Sequence, residues 1–441
     1  MLDSVFALNQ TLRNRLSNLV LRDGEEVARE KPAARFTITA VSGAEPDPAA
    51  PLNVVVTGNE VSNRHGTGPL VERVCQGWPN LFSIRARNDW GGAQDFGDWQ
   101  VCLSPRAATR AEFFRNVLSV LRNRKVETVL CVPFLPDEFY TSIALHECFG
   151  AKLCVWLMDD QNVAARQIPD ALMREFLERC SLRLATHPEL QHIYQRKYGL
   201  PFHVLPAIVP GSLVSAEAPT AAALSGTSRG ALMGSFWDQS WFDRLCSIVS
   251  RCGRRIDWFG NNKSPWFDLS PKRLAKAGIE AHGIVPEDRL ARELAKYPFV
   301  IVPVGALDGK ESNTGVARLS LPGRILFAVA TSQTPVLVVG SPRTCAARFV
   351  AHFGVGEVAP YDAHAVTAAM ERMSRPEAQQ RMRQAAARIA PVLSDRGIPE
   401  WLRQSIDRGI PADRRFEDLF SGYDAAIESE SESALATSAG Q

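Results

Sequence analysis

Residues 54–69 read VVVTGNEVSNRHGTGP, an apolar β-branched run followed by a polar loop that contains three glycines. Consecutive valines predict a buried strand, because β-branched side chains pack well on a pleated sheet. Pro69 suits the first turn of a helix, where its missing N–H costs nothing. A strand, a glycine-containing loop and a helix in this order form the repeating unit of a parallel sheet covered by helices.

The same alternation of short β-rich runs and helical segments continues along the chain in two series. Several runs are apolar on both faces, which is typical of strands that helices cover on either side. The first series of predicted strands covers residues 54–57, 81–84, 101–103, 129–132, 153–157, 182–186 and 203–205. The second covers residues 231–233, 256–259, 299–303 and 335–339. We therefore predict an α/β protein with two doubly wound, Rossmann-like domains that face each other across a cleft.

Composition shifts divide the chain into six segments. Pro, Ala, Ser and Gly mark the linkers, and alternating Glu and Ser mark a terminal tail that we expect to be disordered. The predicted segments are an N-terminal extension and linker 1–52, an N-terminal Rossmann-like domain 53–209, a linker 210–228, a C-terminal Rossmann-like domain 229–395, helices 396–423 that cross back to the first domain, and the tail 424–441.

The composition of the 441 residues excludes several classes of protein. Their formal net charge is +2, so no overall field points to a nucleic-acid partner. The 9 cysteines contain no C-x-x-C pair and are typical of free thiols in a reducing compartment. No apolar stretch reaches the roughly 20 residues of a membrane span, and the first residues do not resemble a signal peptide. We therefore expect a cytoplasmic protein.

Residues 1–22 place five apolar side chains on one helical stripe, with arginines elsewhere on the surface. A helix that packs on its own domain is the favoured interpretation, because the basic excess is small. The alternatives are peripheral contact with the inner face of a membrane and pairing with a second copy as a homodimer.

The first candidate site is the loop that precedes Pro69. Gly66, Thr67 and Gly68 leave room for a ligand near a helix N-terminus, where backbone amides are free. His65 in the same loop is a candidate for contact with substrate. The spacing differs from G-x-G-x-x-G, which disfavours nicotinamide or flavin binding, and a loop whose glycines only satisfy turn geometry remains the alternative.

The second candidate site is the pair Asp159 and Asp160, which follows an apolar strand. Their carboxylates could hydrogen-bond a hydroxylated substrate. A metal site is the weaker interpretation, because no third ligand follows at a suitable spacing, and we predict no metal. Helix capping by either residue is an equally good explanation.

The third candidate site lies in the second domain. Ser320 is a plausible helix cap there, Pro322 and Gly323 follow it, and Arg324 lies in the first helical turn. Free amides, the helix dipole and a guanidinium together favour a diphosphate. Further donors after other strands are the side chain of Lys263 and the backbone at Gly234 and Ser235.

At these residues the chain resembles the GT-B glycosyltransferases, specifically the retaining family 4, over residues 53–392. The line 319–337, LSLPGRILFAVATSQTPVL, is similar to that family's donor-site motif. Shorter agreements are ATHPEL at 185–190, YGLP at 198–201, ALMGS at 231–235 and HGIVP at 282–286. The chain departs from the family in three ways. Leu319 stands where the second Glu of Glu-x7-Glu is expected after Glu311, and the Gly-x-Pro turn has no glycine. The acidic residue that family members often use on the donor ribose would fall near Phe327 or Ala328.

The resemblance implies that 53–209 is the acceptor-side domain and 229–395 the nucleotide-sugar domain, and it implies a role for each candidate residue. Gly234, Lys263 and Arg324, with the amides of residues 320–324, would contact the donor diphosphate. The loop 66–68 would lie under donor and acceptor, Glu311 would contact the transferred sugar, and His65 with Asp159 or Asp160 would orient hydroxyl groups.

The implied activity is metal-independent, retaining transfer of a hexose in polysaccharide biosynthesis. The donor would be a nucleoside diphosphate sugar, with UDP favoured over GDP and no further cofactor, and the acceptor a glycan, a lipid-linked sugar or a protein. The leaving phosphate would accept the acceptor's proton, so no acid–nucleophile pair is required. Two alternatives stay open: a catalytically silent scaffold that binds a sugar or a protein, and a sugar-nucleotide epimerase.

Overall fold

The computed structural model describes most of the chain between residues 47 and 423. The described residues are 47, 49–63, 65–89, 96–103, 109–215, 217, 229–236, 238–261, 269–311 and 313–423, with the backbone of 39–40. The amphipathic stripe 1–22, Lys263, most of the predicted linker and the tail 424–441 lie outside them. In the described part, no helix has the length and apolar character needed to cross a membrane.

The first sheet has eight strands in the order β1-β4-β3-β2-β5-β6-β7-β8. The strands are β1 Thr39–Ala40, β2 Leu52–Thr57, β3 Leu81–Arg85, β4 Trp99–Cys102, β5 Val126–Val132, β6 Lys152–Leu157, β7 Cys180–Ala185 and β8 His203–Val204. All neighbours are parallel except β1, which runs antiparallel to β4. Part of the predicted extension 1–52 therefore adds an edge strand to this sheet.

The second sheet has six parallel strands in the order β11-β10-β9-β12-β13-β14. The strands are β9 Gly230–Met233, β10 Ile256–Phe259, β11 Ile279–Gly283, β12 Val300–Pro303, β13 Val336–Val339 and β14 Gly356–Ala359. Sequence patterning missed β11 and β14. Both are edge strands whose residues are only partly buried, so neither has the continuous apolar run of a central strand.

Helices cover both sheets. The first domain contains α1 Thr67–Cys75, α2 Arg110–Val120, α3 Pro136–Phe149, α4 Asp170–Arg179 and α5 Pro188–Tyr198. The second contains α6 Gln239–Cys252, α7 Pro271–Ala277, α8 Glu287–Leu294, α9 Thr314–Leu319, α10 Gly323–Phe327, α11 Cys345–Phe353, α12 Ala363–Met373 and α13 Pro376–Ile389. Two further helices follow, α14 Ile398–Arg408 and α15 Arg415–Leu419.

The chain passes between the domains twice, and the two passages are hydrogen-bonded to each other. Val209 N donates to the carbonyl of Leu393 at 2.9 Å, and Asp395 N donates to the carbonyl of Val209 at the same distance. Gly211 N donates to Oδ1 of Asp395 at 2.8 Å. The two domains are therefore joined by a paired crossing of the chain.

The helices after the second crossing pack on the first domain. Trp78, which follows α1, donates from Nε1 to the carbonyl of Pro399 at 3.3 Å. Lys152 pairs with Asp407 at 2.7 Å, and the hydroxyl of Tyr423 donates to Glu189 at 3.2 Å. Apolar side chains of α14 join a continuous buried core that contains residues of both sheets.

Helix α10 continues into one π-helical turn, Ala328–Ser332, and ends at Gln333 with a left-handed φ of 52°. This is the position of the missing glycine in the Gly-x-Pro turn. Nε2 of Gln333 donates to the carbonyl of Ser215 at 2.6 Å, which ties the turn to the first crossing. A hydrogen bond thus offsets part of the strain that a glycine would avoid.

Candidate functional site

A cavity of about 470 Å³ lies between the two sheets, where the carboxyl ends of their strands meet. Its volume is in the range of small-molecule sites. In the first domain the wall is formed by the start of α1 and by the loops after β6 and β7. In the second domain it is formed by the loops after β9, β10 and β11 and by the start of α10. Predicted residues in the wall are His65, Gly66, Thr67, Asp159, Gly234, Pro322, Gly323 and Arg324.

Arg324 provides a guanidinium group in the wall of the second domain. Its Nη1 donates to the carbonyls of Ser235 at 2.7 Å and Met233 at 3.2 Å. Nε and Nη2 are buried and have no hydrogen-bond partner among the residues that the structure describes. Burial lowers the pKa of this side chain to about 10, so it still carries its charge at neutral pH. An incompletely satisfied cation in a cavity wall favours an anionic ligand.

Gly234 lies beside this guanidinium at the end of β9. Its φ of +82° is in the left-handed region that favours glycine. A Cβ atom here would come within 3.3 Å of Arg324. The carbonyl of Gly234 accepts from Nε1 of Trp258 at 2.9 Å, which fixes the turn. The backbone can therefore lie next to Arg324 without a side chain between Arg324 and the cavity.

The loop before α1 places His65, Gly66 and Thr67 in the opposite wall. Nε2 of His65 lies 2.5 Å from the carbonyl of Glu60, and burial lowers the pKa of the imidazole, which favours its neutral form. Gly66 has open space where a Cβ would be. Gly68 does not line the cavity. It lies within α1 and is packed against the backbone of Ser62, so close packing explains this glycine.

The two adjacent aspartates have different environments. Asp159 lines the cavity, and burial together with the charge of Asp160 raises its pKa to about 6. Asp160 does not line the cavity. Its carboxylate accepts from the backbone amides of residues 162–165 at 2.6–3.1 Å and from the hydroxyl of Tyr194 at 2.9 Å. Asp160 thus organises the loop, whereas Asp159 is open to a ligand.

Ser320 and Glu311 also lie outside the cavity lining. Ser320 is not the helix cap that we predicted: it ends α9, its amide donates to Val316, and Pro322 precedes the first residue of α10. Oε1 of Glu311 accepts from the amide of Leu307 at 2.7 Å, and Oε2 is buried without a partner within the described residues. The carboxylate therefore stabilises its own loop.

Sequence reasoning missed several cavity residues. Arg73 lies on the α1 face that also carries Gly66 and Leu70, a helical spacing that could have indicated it. Ile284 and Glu287 follow β11, which the pattern did not predict as a strand. Ile284 is 60% exposed, an unusual state for a large apolar side chain in a cavity wall.

Among the described residues, one group of potential metal ligands lies near this wall. Ligand atoms of Asp257, Glu280 and His282 lie within 4.8 Å of one another. The guanidinium of Arg229 already pairs with Asp257 and Glu280, and the hydroxyl of Tyr297 donates to Asp257 at 2.9 Å. These carboxylates therefore have cationic and hydrogen-bonding partners of their own.

No protein-family model matches the chain, and no curated protein sequence matches it. Solved structures do resemble it, at 10–12% sequence identity. WaaG, a glycosyltransferase involved in lipopolysaccharide biosynthesis, has a TM-score of 0.54 over 81% of this chain and 99% of its own. Anabaena HepE in complex with UDP has a TM-score of 0.59 over 81% and 100%. A UDP-N-acetylglucosamine 2-epimerase has a TM-score of 0.53 over 82% and 98%.

At this identity the likeness concerns the fold, so the finer resemblance to family 4 stays a prediction. The two sheets and the cavity between their carboxyl edges agree with the predicted architecture of two Rossmann-like domains that face each other across a cleft. The chain has the GT-B fold, with two parallel-sheet α/β domains.

Proposed function

We propose that the protein is a glycosyltransferase that uses a nucleoside diphosphate sugar as donor. The observation that carries this proposal is Arg324, whose Nε and Nη2 are buried without partners in the wall of an interdomain cavity. A diphosphate would supply the missing acceptors and neutralise the charge. The left-handed turn at Gly234 leaves space for it beside the guanidinium.

The proposed chemistry depends on charge stabilisation of the leaving diphosphate. Arg324 would stabilise the negative charge that develops as the sugar leaves, which makes a metal unnecessary. His65 and Asp159, in the opposite wall, would orient hydroxyl groups of sugar and acceptor. In retaining transfer, the leaving phosphate takes the acceptor's proton while the new glycosidic bond forms on the same face of the sugar.

The donor we propose is a UDP-sugar. Support comes from HepE, which has been solved in complex with UDP and with UDP and glucose. The acceptor classes that we propose are a glycan, a lipid-linked sugar or a protein. Peripheral membrane contact and a homodimer depend on residues 1–22, which lie outside the described part, and truncating these residues tests both.

A thermal-shift panel of UDP, GDP, ADP and CDP tests the proposal, because a ligand that binds only the native state raises Tm. We expect UDP to raise it in the wild type and not in Arg324→Ala. The same substitution should reduce sugar transfer by two orders of magnitude or more. Arg318→Ala, on neighbouring α9 but outside the cavity lining, is the matched control and should behave as the wild type.

Two outcomes would contradict the proposal. If none of the nucleotides raises Tm, the protein is better explained as a silent scaffold. If UDP binds and Arg324→Ala transfers sugar normally, the assigned diphosphate site is wrong.

An epimerase is the second candidate, favoured by the fold shared with the UDP-N-acetylglucosamine 2-epimerase. Free UDP together with a new glycosidic bond distinguishes transfer from epimerisation.

A further inference from the structure

A buried ion pair joins the two domains. Glu189 is in the first turn of α5 in the first domain, and Arg348 is on α11 in the second. Nε of Arg348 donates to Oε1 of Glu189 at 2.8 Å, and Nη2 donates to Oε2. The side chain of Glu189 is 4% exposed and that of Arg348 is 15% exposed. A bidentate pair of this kind fixes the relative position of the two helices.

His187 and Cys345 form a second contact between the same two helices. His187 precedes α5, and its Nδ1 accepts from the amide of Leu190 at 3.3 Å. The same atom lies 3.4 Å from Sγ of Cys345, the first residue of α11. Burial lowers the pKa of His187 to about 4, so the imidazole is neutral at neutral pH. Thr186, the preceding residue, lines the cavity, so this contact adjoins the cavity wall.

Tyr423, the last residue that the structure describes, touches both domains. Its hydroxyl donates to Oε1 of Glu189 at 3.2 Å and lies 3.5 Å from the carbonyl oxygen of Cys345. Its ring packs edge-on against that of His352 on α11, with 5.1 Å between the centroids. Tyr423 therefore adds a hydrogen bond to the carboxylate of the ion pair and an aromatic contact to the helix that carries the guanidinium.

Phe420 packs against the same helix of the second domain. Its ring centroid lies 5.8 Å from that of Phe353 and 6.3 Å from that of Phe349. Phe420 and Tyr423 are both buried. The helices that precede them, α14 and α15, contact the first domain. The segment 420–423 therefore extends from the first domain to α11 of the second.

A further ion pair between the domains is more exposed. Nη2 of Arg73, on α1, donates to Oε1 of Glu287, the first residue of α8. The side chain of Glu287 is 41% exposed. Water screens ion pairs in such positions, so they contribute little to stability. The buried contacts around Glu189 should therefore dominate the energy that holds the domains together.

We infer that residues 420–423, with Glu189 and Arg348, form a clamp that holds the two domains in one arrangement independently of any ligand. Domains joined only by crossings of the chain are expected to move relative to one another unless a substantial interface prevents it. In the clamp, the buried aromatic rings supply the attraction and the bidentate pair fixes the geometry. The two walls of the cavity would then keep their spacing before a ligand enters. The clamp requires no nucleotide, so it goes beyond the proposed function and does not depend on it.

Distance measurement by pulsed electron paramagnetic resonance tests the clamp in the full-length protein. Cys102, in β4, and Cys252, at the end of α6, are only partly buried, whereas the other cysteines are buried. Spin labels on these two cysteines report the separation of the two domains. Without ligand, we expect one narrow distribution of distances in the wild type.

Two variants should open the clamp in different ways. Glu189→Gln should lower the ratio of clamped to separated molecules by on the order of a hundredfold, because the clamped form would keep the Arg348 cation buried without its carboxylate. Phe420→Ala combined with Tyr423→Ala removes the rings and should also add a population at a different distance. Tyr423→Phe keeps the ring and should have a smaller effect than Glu189→Gln.

Matched controls make the same kinds of change within one domain. Glu178→Gln removes a charge that pairs with Arg174 on α4, and Tyr140→Ala removes a ring that stacks on Phe113. Both should keep the wild-type distribution of distances.

Two results would overturn the clamp. One is a broad distribution in the wild type. The other is a distribution that stays narrow in Glu189→Gln and Tyr423→Phe, with far-UV circular dichroism equal to that of the wild type. Since no nucleotide enters the experiment, either result leaves the proposed function intact.

Discussion

Arg324 and Arg383 are two arginines of the second domain with opposite hydrogen bonding. Burial lowers the pKa of each to about 10. Arg383 is fully buried, and Nε, Nη1 and Nη2 donate at 2.8–3.3 Å to Gln379 and to the carbonyls of Ser332 and Tyr297. Arg324, in the cavity wall, leaves Nε and Nη2 without partners in the described part of the chain. Unsatisfied polar atoms in a cavity wall thus distinguish Arg324, which is available to a ligand, from Arg383, which stabilises the core.

The same contrast separates two pairs that are close in sequence. Asp160 accepts five hydrogen bonds, four of them from backbone amides, whereas its neighbour Asp159 lines the cavity with a raised pKa. Gly68 is packed against Ser62, whereas Gly66 faces open space. In each pair, one residue supports the fold and the other remains open to the cavity.

Exchanging each arginine for methionine should produce the largest effect. Arg383→Met should lower the free energy of unfolding by at least about 3 kcal/mol, because it leaves three buried acceptors unsatisfied. Arg324→Met should change it by no more than about 1 kcal/mol, since a buried, incompletely paired charge disappears with the bonds to Ser235 and Met233. Urea unfolding without nucleotide measures both, and equal losses in the two variants would contradict the contrast.

The two aspartates should contribute differently to the free energy of unfolding of the protein and to its dependence on pH. Asp160→Asn should cost about 2 kcal/mol, because charge-assisted bonds to backbone amides are lost. Asp159 has a pKa of about 6 in the native state against 3.8 ordinarily, so the native state binds its proton more tightly. Its contribution to the free energy of unfolding therefore falls as pH rises from about 4 to about 6.

Asp159→Asn removes this titration. The variant should show a flatter dependence of the free energy of unfolding on pH across that window, and greater stability than the wild type above it. Urea unfolding at a series of pH values measures the slopes. Parallel wild-type and variant curves would show that Asp159 does not titrate in this way.

The two glycines give the third contrast, which tests backbone packing. Gly68→Ala should destabilise the protein by about 1–3 kcal/mol, because the new Cβ would overlap the backbone of Ser62. Gly66→Ala has open space and a φ of −67°, so it should be neutral or stabilise by up to about 1 kcal/mol. Thermal melts of both variants test this, and a matching loss of Tm in Gly66→Ala would refute it.

Periodicity was sufficient to predict the architecture, because buried parallel strands leave continuous apolar runs such as residues 129–132. It was also sufficient to place candidates at strand ends, and Gly234 and Arg324 do meet in one wall. It could not tell Asp159 from Asp160, since both follow β6 and only tertiary hydrogen bonding separates them. Nor could it find Glu287, which pairs with a residue more than 200 positions away.

The return of α14 to the first domain has a consequence for the order of folding. Residues near 399, more than 300 positions later in the chain, pack over Trp78 and the apolar face of α1. Contacts of such long sequence separation form late, because the loop between them must close first. During synthesis the first domain would therefore emerge with an uncovered apolar surface, and exposed surface of this kind makes a folding intermediate prone to aggregation.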